Sequence, residues 1–272
     1  MQKISLFQVD SFTDHIFRGN PASVCLLGDW VDDTILQSIA TENNQSETAF
    51  IVQKEANHFA LRWFTPTKEV DLCGHATLAA AYILFNEREL SDDRIHFHTL
   101  SGELFVYKEN ERIVLNFPQW IYQKIARNSA VEEALGAPLT ELYESHDWVG
   151  VVASEAKLRA LSPDFKALEQ SDAGGIIVTA KADDDTLDFV YRTFFPNLGI
   201  NEDPVTGSSQ CVLAPYWSKQ LNKDHLQSRQ ISIRGGELTT SLKNDRVEIK
   251  GSAALYMRGE ILIKNLKRFV IN

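Results

Sequence analysis

A few side chains and two glycines carry the chemistry open to this chain. Glu47 lies in the polar stretch Asn43-Asn44-Gln45-Ser46-Glu47-Thr48, between a helical segment and a strand-like one. An acid at a strand entrance can point into a cleft, where partial burial raises its pKa toward neutrality and suits it to general acid/base work. A solvent-facing glutamate at a loop end is the other reading. His75 directly follows Gly74 and could donate to a substrate oxygen or relay a proton, or be structural. Asp203 precedes Ser208 by five residues, so one loop could carry both to a cleft; its Asp-Pro dipeptide is equally a turn former. Gly74 and Gly207 each open an apolar helical run. A helix start presents unpaired N–H groups and the positive end of its dipole, and a glycine there lets a ligand approach the backbone. Two such starts would hold a carboxylate without lysines; ordinary capped turns are the alternative.

Cys73 supplies a rival chemistry. A thiol just ahead of a helix N-terminus can have a lowered pKa and could abstract an α-proton; on its own, Cys73 reads as a packing residue. A two-base racemase needs a second thiol, and the matching position in the second half is Thr206, whose hydroxyl is far too weak an acid. His96 and His98 alternate along a strand and share a face; with no further ligand visible in the sequence they are not read as a metal site. No metal and no organic cofactor are expected. Phosphate-loop, dinucleotide and Gly-x-Ser-x-Gly fingerprints are absent. Asp183-Asp184-Asp185 reads as a solvated turn.

The elements that must position these groups come in two matching sets. Arg62-Trp63-Phe64-Thr65-Pro66 and Arg192-Thr193-Phe194-Phe195-Pro196 repeat Arg, Phe and Pro 130 residues apart, and each precedes one Gly-led helix. Strands are expected at Lys3–Val9, Thr48–Gln53, Phe59–Phe64, His96–Thr99, Glu103–Tyr107 and Arg112–Phe117. In the second half they are expected at Trp148–Val152, Ala173–Val178, Thr186–Phe194, Gln230–Arg234, Glu237–Lys243, Arg246–Gly251 and Ala254–Ile263. Helices are expected at Asp32–Ala40, Ala130–Leu135, Glu155–Leu161 and Asp164–Gln170. His75–Phe85 and Thr206–Leu221 are so apolar that they should be buried all round. The fold class is therefore α+β: two similar domains, 1–118 and 130–272, each a mixed, mostly antiparallel sheet curved around a central apolar helix. Some C-terminal residues are expected to return to the first domain, and the domains to be related by a pseudo-twofold axis with the site in the cleft between them.

Composition limits the partners. A net charge of −10 argues against nucleic acid and anionic membrane surfaces. Three widely spaced cysteines give no disulfide framework, which points to a reducing cytoplasm. No signal peptide or apolar run of membrane-spanning length is visible.

The ordered set Phe7-Gln8-Val9-Asp10-Ser11-Phe12-Thr13, Gly19-Asn20-Pro21-Ala22, Ser46-Glu47-Thr48-Ala49-Phe50, Arg62–Pro66, Glu69–Ala79 and Glu202–Ser208 resembles the phenazine-biosynthesis PhzF-like family of isomerases, of the diaminopimelate-epimerase-like fold. The resemblance implies a cofactor-independent isomerase of a small cyclic or amino carboxylate. Glu47 would take a proton from one carbon and return it to another. His75 and Asp203 would be its catalytic partners, with Gly74, Gly207, Ser208, Asn20 and Ser46 binding substrate. Domain closure would exclude water. It also implies a homodimer. One departure is visible: many relatives carry Gly-Ser-Ala-His where this chain has Gly207-Ser208-Ser209-Gln210, and Gln210 cannot titrate. A racemase or epimerase, and a binding protein that has lost turnover, are the alternatives.

Overall fold

The computed structural model describes residues 2–263. These fall into two compact units, one of residues 2–116 and 250–263, the other Phe117–Ile249. In the first, β1 (Gln2–Ser11) and β2 (Asn20–Leu27) are antiparallel. After α1 (Asp33–Asn43), β3 (Glu47–Gln53) joins β2 in parallel, and β4 (His58–Phe64) pairs antiparallel with β3. A short β5 (Glu69–Val70) leads to α2 (Gly74–Asn86). Then come β6 (Arg94–Thr99), parallel to β4, and the antiparallel β7 (Gly102–Glu109) and β8 (Arg112–Pro118).

Strand alternation decides what faces what. Cys25, Leu27, Phe50, Val52 and Phe64 share a core with Ile35, Leu36 and Ile39 of α1. Successive side chains point to opposite faces, so Ala22, Val24, Glu47, Ala49 and Ile51 lie on the other face, against which α2 packs. Nearly every residue of α2 is buried, as its uniformly apolar sequence requires.

The second unit repeats this plan. It contains β9 (Gln123–Ile125), α3 (Ser129–Leu135), β10 (Glu141–Glu144), β11 (Trp148–Val151), α4 (Glu155–Arg159), α5 (Phe165–Glu169), β12 (Ile176–Lys181) and β13 (Phe189–Phe194). A 3-10 turn, Gly207–Ser209, then opens α6 (Gln210–Leu221), which is followed by β14 (His225–Gln230), β15 (Gly236–Lys243) and β16 (Arg246–Gly251). From β10 to β15, omitting helices, the pairing runs antiparallel, parallel, antiparallel, parallel, antiparallel. That is the same series as β1-β2-β3-β4-β6-β7. The chain is thus α+β, mostly sheet with few helices. The last described strand, β17 (Ala253–Ile263), pairs antiparallel with β1. The second domain expected over 130–272 therefore closes at Ile249 in these units, and its stretch 264–272 lies outside the described residues.

The repeated Arg-x-Phe has a structural meaning. Arg62 forks onto both oxygens of Glu69 at 2.6 and 2.7 Å and stands over Phe64 at 5.1 Å. Arg192 forks onto Glu202 at 2.7 and 2.9 Å and stands over Phe194, also at 5.1 Å. Each guanidinium ties a sheet strand to the loop that precedes its Gly-led helix, through a bidentate contact only arginine makes.

Some elements differ from expectation. The strand β2 was not foreseen, nor was β10. The strand expected at Gln230–Arg234 is instead His225–Gln230, and Ile233 is fully exposed in the turn that follows. The helix expected from Thr206 begins as a 3-10 turn. Its Pro215 leaves the Cys211 carbonyl without a helical donor, and the Trp120 amide takes that place at 2.8 Å. Among the described residues no helix is long and apolar enough to cross a membrane.

Candidate active site

Glu47 is the first residue of β3, opposite Ala22 of β2, with its side chain on the α2 face by strand parity. His75 is the second residue of α2. The two meet with Glu47 Oε2 and His75 Nε2 3.1 Å apart, their side chains only 13% and 6% exposed. On the other side of the ring, His75 Nδ1 lies 3.5 Å from the Cys73 sulfur. Glu47 Oε2 and His75 Nε2 are buried, yet neither has a well-aligned hydrogen bond. Buried polar atoms are almost always paired; here each is the other's ion-pair partner, and a ligand atom brought to the pair can complete the geometry.

The surroundings hold this pair in place. Ser11, at the end of β1, donates its hydroxyl to the His75 carbonyl at 2.7 Å, and Thr77 donates to the Cys73 carbonyl at 2.5 Å. Asn20 is fully buried opposite Ser11. The preceding Gly19 has φ +64°, and a Cβ there would come within 2.1 Å of the Ser11 carbonyl oxygen, so only glycine admits this close turn. Ser46 is half-buried directly before Glu47. The N-terminus of α2 has no side-chain cap and no acid in its first turn. Its dipole is left available to an anion. Gly74 and Gly207 lie outside the positive-φ region; what they contribute is the absent side chain.

The charges follow from burial. Desolvation alone would lower the pKa of His75, but the Cys73 sulfur and the Glu47 carboxylate outweigh it and raise it well above the ordinary value. Cys73 is a packed thiol, not the activated one of the rival reading. Burial, and then the nearby Glu47 charge, push its pKa up to about 11. Since that thiol is neutral at pH 7, the Glu47 carboxylate is the charge that favours the imidazolium. Glu47, Cys73 and His75 also offer ligand atoms within 4.8 Å of one another. A metal ion would have to displace protons from both the thiol and the imidazolium to bind there.

In the second unit, Asp203 and Thr206 are buried and Ser208 is half-buried. The Thr206 hydroxyl donates to the Asp203 carboxylate. Gln230, which sequence reasoning missed, braces this loop. Its Oε1 accepts from the Thr206 amide at 2.7 Å, and its Nε2 donates to the Asp203 carbonyl at 2.5 Å. Gln210 is fully buried, with its side-chain amide against the Tyr191 phenol. Neither the 3-10 turn nor α6 has a side-chain N-cap. Among the site residues named from sequence, Asn20, Ser46, Glu47, Gly74 and His75 therefore cluster in the first unit, and Asp203, Gly207 and Ser208 on one loop of the second. Ser11 and Gln230 add support that no local sequence pattern signals.

Comparison with known proteins places the chain in a family. The family model for phenazine biosynthesis-like proteins (PhzC-PhzF) matches residues 9–259. An uncharacterized isomerase of Pseudomonas aeruginosa is 45% identical, over 95% of this chain and 99% of that protein. The crystal structure of a PhzF-family phenazine biosynthesis protein from Enterococcus faecalis superposes with a TM-score of 0.92 at 46% identity, covering 96% of this chain and all of that one. A probable proline racemase from Agrobacterium radiobacter, 10% identical, shares the fold at a TM-score of 0.65 over 97% of this chain and 94% of the other. The chain belongs to the phenazine biosynthesis-like PhzC-PhzF family and is an isomerase of that family.

Proposed function

We propose that this isomerase moves a proton between two carbons of a small cyclic or amino carboxylate without a cofactor, with Glu47 as the proton carrier. The observation that carries this reading is the buried Glu47 Oε2–His75 Nε2 pair, 3.1 Å apart. The Glu47 carboxylate takes a proton from an acidic C–H, the electron pair shifts through an adjacent double bond, and the carboxylic acid so formed returns the proton to the far carbon. Atoms and electrons balance with no redox partner. His75, as imidazolium, opposes the negative charge that develops on the substrate. Gly74 and the uncapped α2 N-terminus receive the substrate carboxylate, with Asn20 and Ser46 beside them. Asp203, Gly207 and Ser208 are proposed to bind substrate, and a homodimer is carried with the proposal.

The racemase alternative has one supporting observation, the contact of Cys73 with His75. The high thiol pKa and Thr206 at the matching position weigh against it. The test is solvent deuterium. In D2O, with a panel of cyclic and amino carboxylates, the wild type should place deuterium at the new carbon of a shifted double bond. Glu47→Gln should lose about 10²–10⁴-fold in rate, the range typical for a positioned acid/base. Full turnover by Glu47→Gln, or exchange at a single carbon with inversion, would overturn the reading.

A further inference from the structure

The sequence places His96 and His98 on one face of β6; the fold adds a third imidazole from the neighbouring strand. His58 of β4 sits in register with His96, and Ala60 with His98. His58 Nδ1 and His98 Nε2 are 3.2 Å apart. The His96 ring packs on His58 at 4.5 Å between centroids. Glu103 of β7, cross-strand from His98, brings Oε1 to 3.5 Å from the other nitrogen of that ring, His98 Nδ1. None of these residues takes part in the site around Glu47. His98 is 42% exposed at its side chain, and His58 and His96 are half-buried.

We propose that His58 and His98 form a chelating site for a divalent transition-metal ion of the zinc type, with Glu103 orienting His98 and His96 walling the site. Two imidazole nitrogens bound to zinc at about 2.0–2.1 Å in tetrahedral geometry stand roughly 3.3 Å apart. The observed 3.2 Å separation is already that bite. In the metal-free chain the two rings share one proton as a hydrogen bond, and a metal ion takes the place of that proton after a small rotation of the rings. A carboxylate on the remote nitrogen of a ligand histidine is the usual outer partner of such sites, fixing the tautomer and raising the basicity of the ligating nitrogen. Solvent water completes the coordination, which the exposed face permits. The parallel β4–β6 pairing holds both imidazoles on rigid strands, so little side-chain order is lost on binding.

Tag-free full-length protein is titrated with ZnCl2 by calorimetry and with CoCl2 by visible absorption. A saturable site of one ion per chain is expected, with a cobalt spectrum free of thiolate charge-transfer bands. His58→Asn and His98→Asn should each weaken it by at least about 10-fold, and Glu103→Gln by about 10-fold as an outer-partner change. Cys73→Ser, which disables the alternative cluster of Glu47, Cys73 and His75, should leave it intact. Absence of saturable Zn2+ binding overturns the proposal. So does binding that survives in both histidine variants, or that disappears in Cys73→Ser. Circular dichroism of each variant confirms folding, and the positions are solvent-facing enough for asparagine to be accommodated.

Discussion

At the scale of single residues, two side chains predict opposite responses to pH and reagents. His75 has its pKa raised in the folded protein, so folding binds a proton wherever the pH lies between the ordinary histidine value of about 6.5 and the raised one. Its stabilising contribution is complete below about pH 6.5 and is lost as pH rises through the raised value. Urea unfolding of the wild type and His75→Gln should show a stability gap that narrows from pH 6 to pH 9; a gap independent of pH would rule out the imidazolium. Cys73, with its pKa near 11 and its side chain buried, should resist iodoacetamide at pH 7.5 until the protein unfolds. Cys73→Ala should keep kcat within about 10-fold of wild type, since an acid/base role would cost about 10²-fold or more. Rapid alkylation with parallel loss of turnover would instead favour the racemase alternative. The packing role read for Cys73 from sequence fits this burial, against the rival reading of an activated thiol. A thiol ahead of a helix is activated only when the dipole exceeds the desolvation penalty, and burial depends on tertiary packing that the local pattern does not contain.

At the scale of elements, the two arginine forks predict how stability couples to the site. Arg192 holds Glu202 and also donates to the Leu158 and Leu161 carbonyls at 3.3 and 3.0 Å. It thereby fixes both the end of α4 and the strand leading to the Asp203 loop. Arg192→Met should cost about 2–4 kcal/mol, because removing one partner leaves a largely buried carboxylate and two carbonyls unpaired. Arg192→Lys should recover only part of that, lacking the planar fork. Urea midpoints measure both, and KM should rise more than kcat falls if the loop binds substrate. The repeat of Arg, Phe and Pro was legible in the sequence, as were the two buried helices and the hairpin leading to Arg62, but the carboxylate partners of the forks were not. The strand β2 was not. It is buried on both faces, with Ala22, Val24 and Cys25 all inaccessible, so it carries no polar-apolar alternation, and Pro21 argues against a strand by composition. The strand misplaced at 230–234 shows the reverse error, because Ile231 and Ile233 alternate beyond the end of β14, with Ile233 fully exposed. The site was legible only through the ordered motifs. Glu47, Cys73 and His75 meet because β3 and α2 pack together, and a single-residue shift in the register of β3 would turn Glu47 to the α1 face.

At the scale of the whole chain, the second unit is a continuous stretch, Phe117–Ile249, whereas the first is closed by a strand that arrives after it. The closing strand β17 pairs with β1 along Gln2–Ser11, with a register shift at Gln8/Val9. Gly251, which leads into it, is tightly packed: a Cβ there would come within 2.6 Å of Phe12 and 2.9 Å of Leu78. Phe12 itself holds a positive φ of 62° and donates its amide to the Ser252 carbonyl at 2.8 Å. A bulky residue in that backbone region costs on the order of 1–3 kcal/mol, which the native contacts with 250–252 must offset. The two units should therefore differ as isolated fragments. Residues 117–249, with their own buried core around Val131, Leu142, Val178 and Phe194, should give a cooperative urea transition. Residues 1–116 should not, because β1 lacks its partner strand and Phe12 lacks the contacts that hold its strained backbone. Adding a synthetic peptide of residues 250–263 should restore the transition in a concentration-dependent way, since a strand that binds only the folded form stabilises it by mass action. A cooperative transition in 1–116 alone, unchanged by the peptide, would show that the returning strand is an accessory and that the first unit is complete without it.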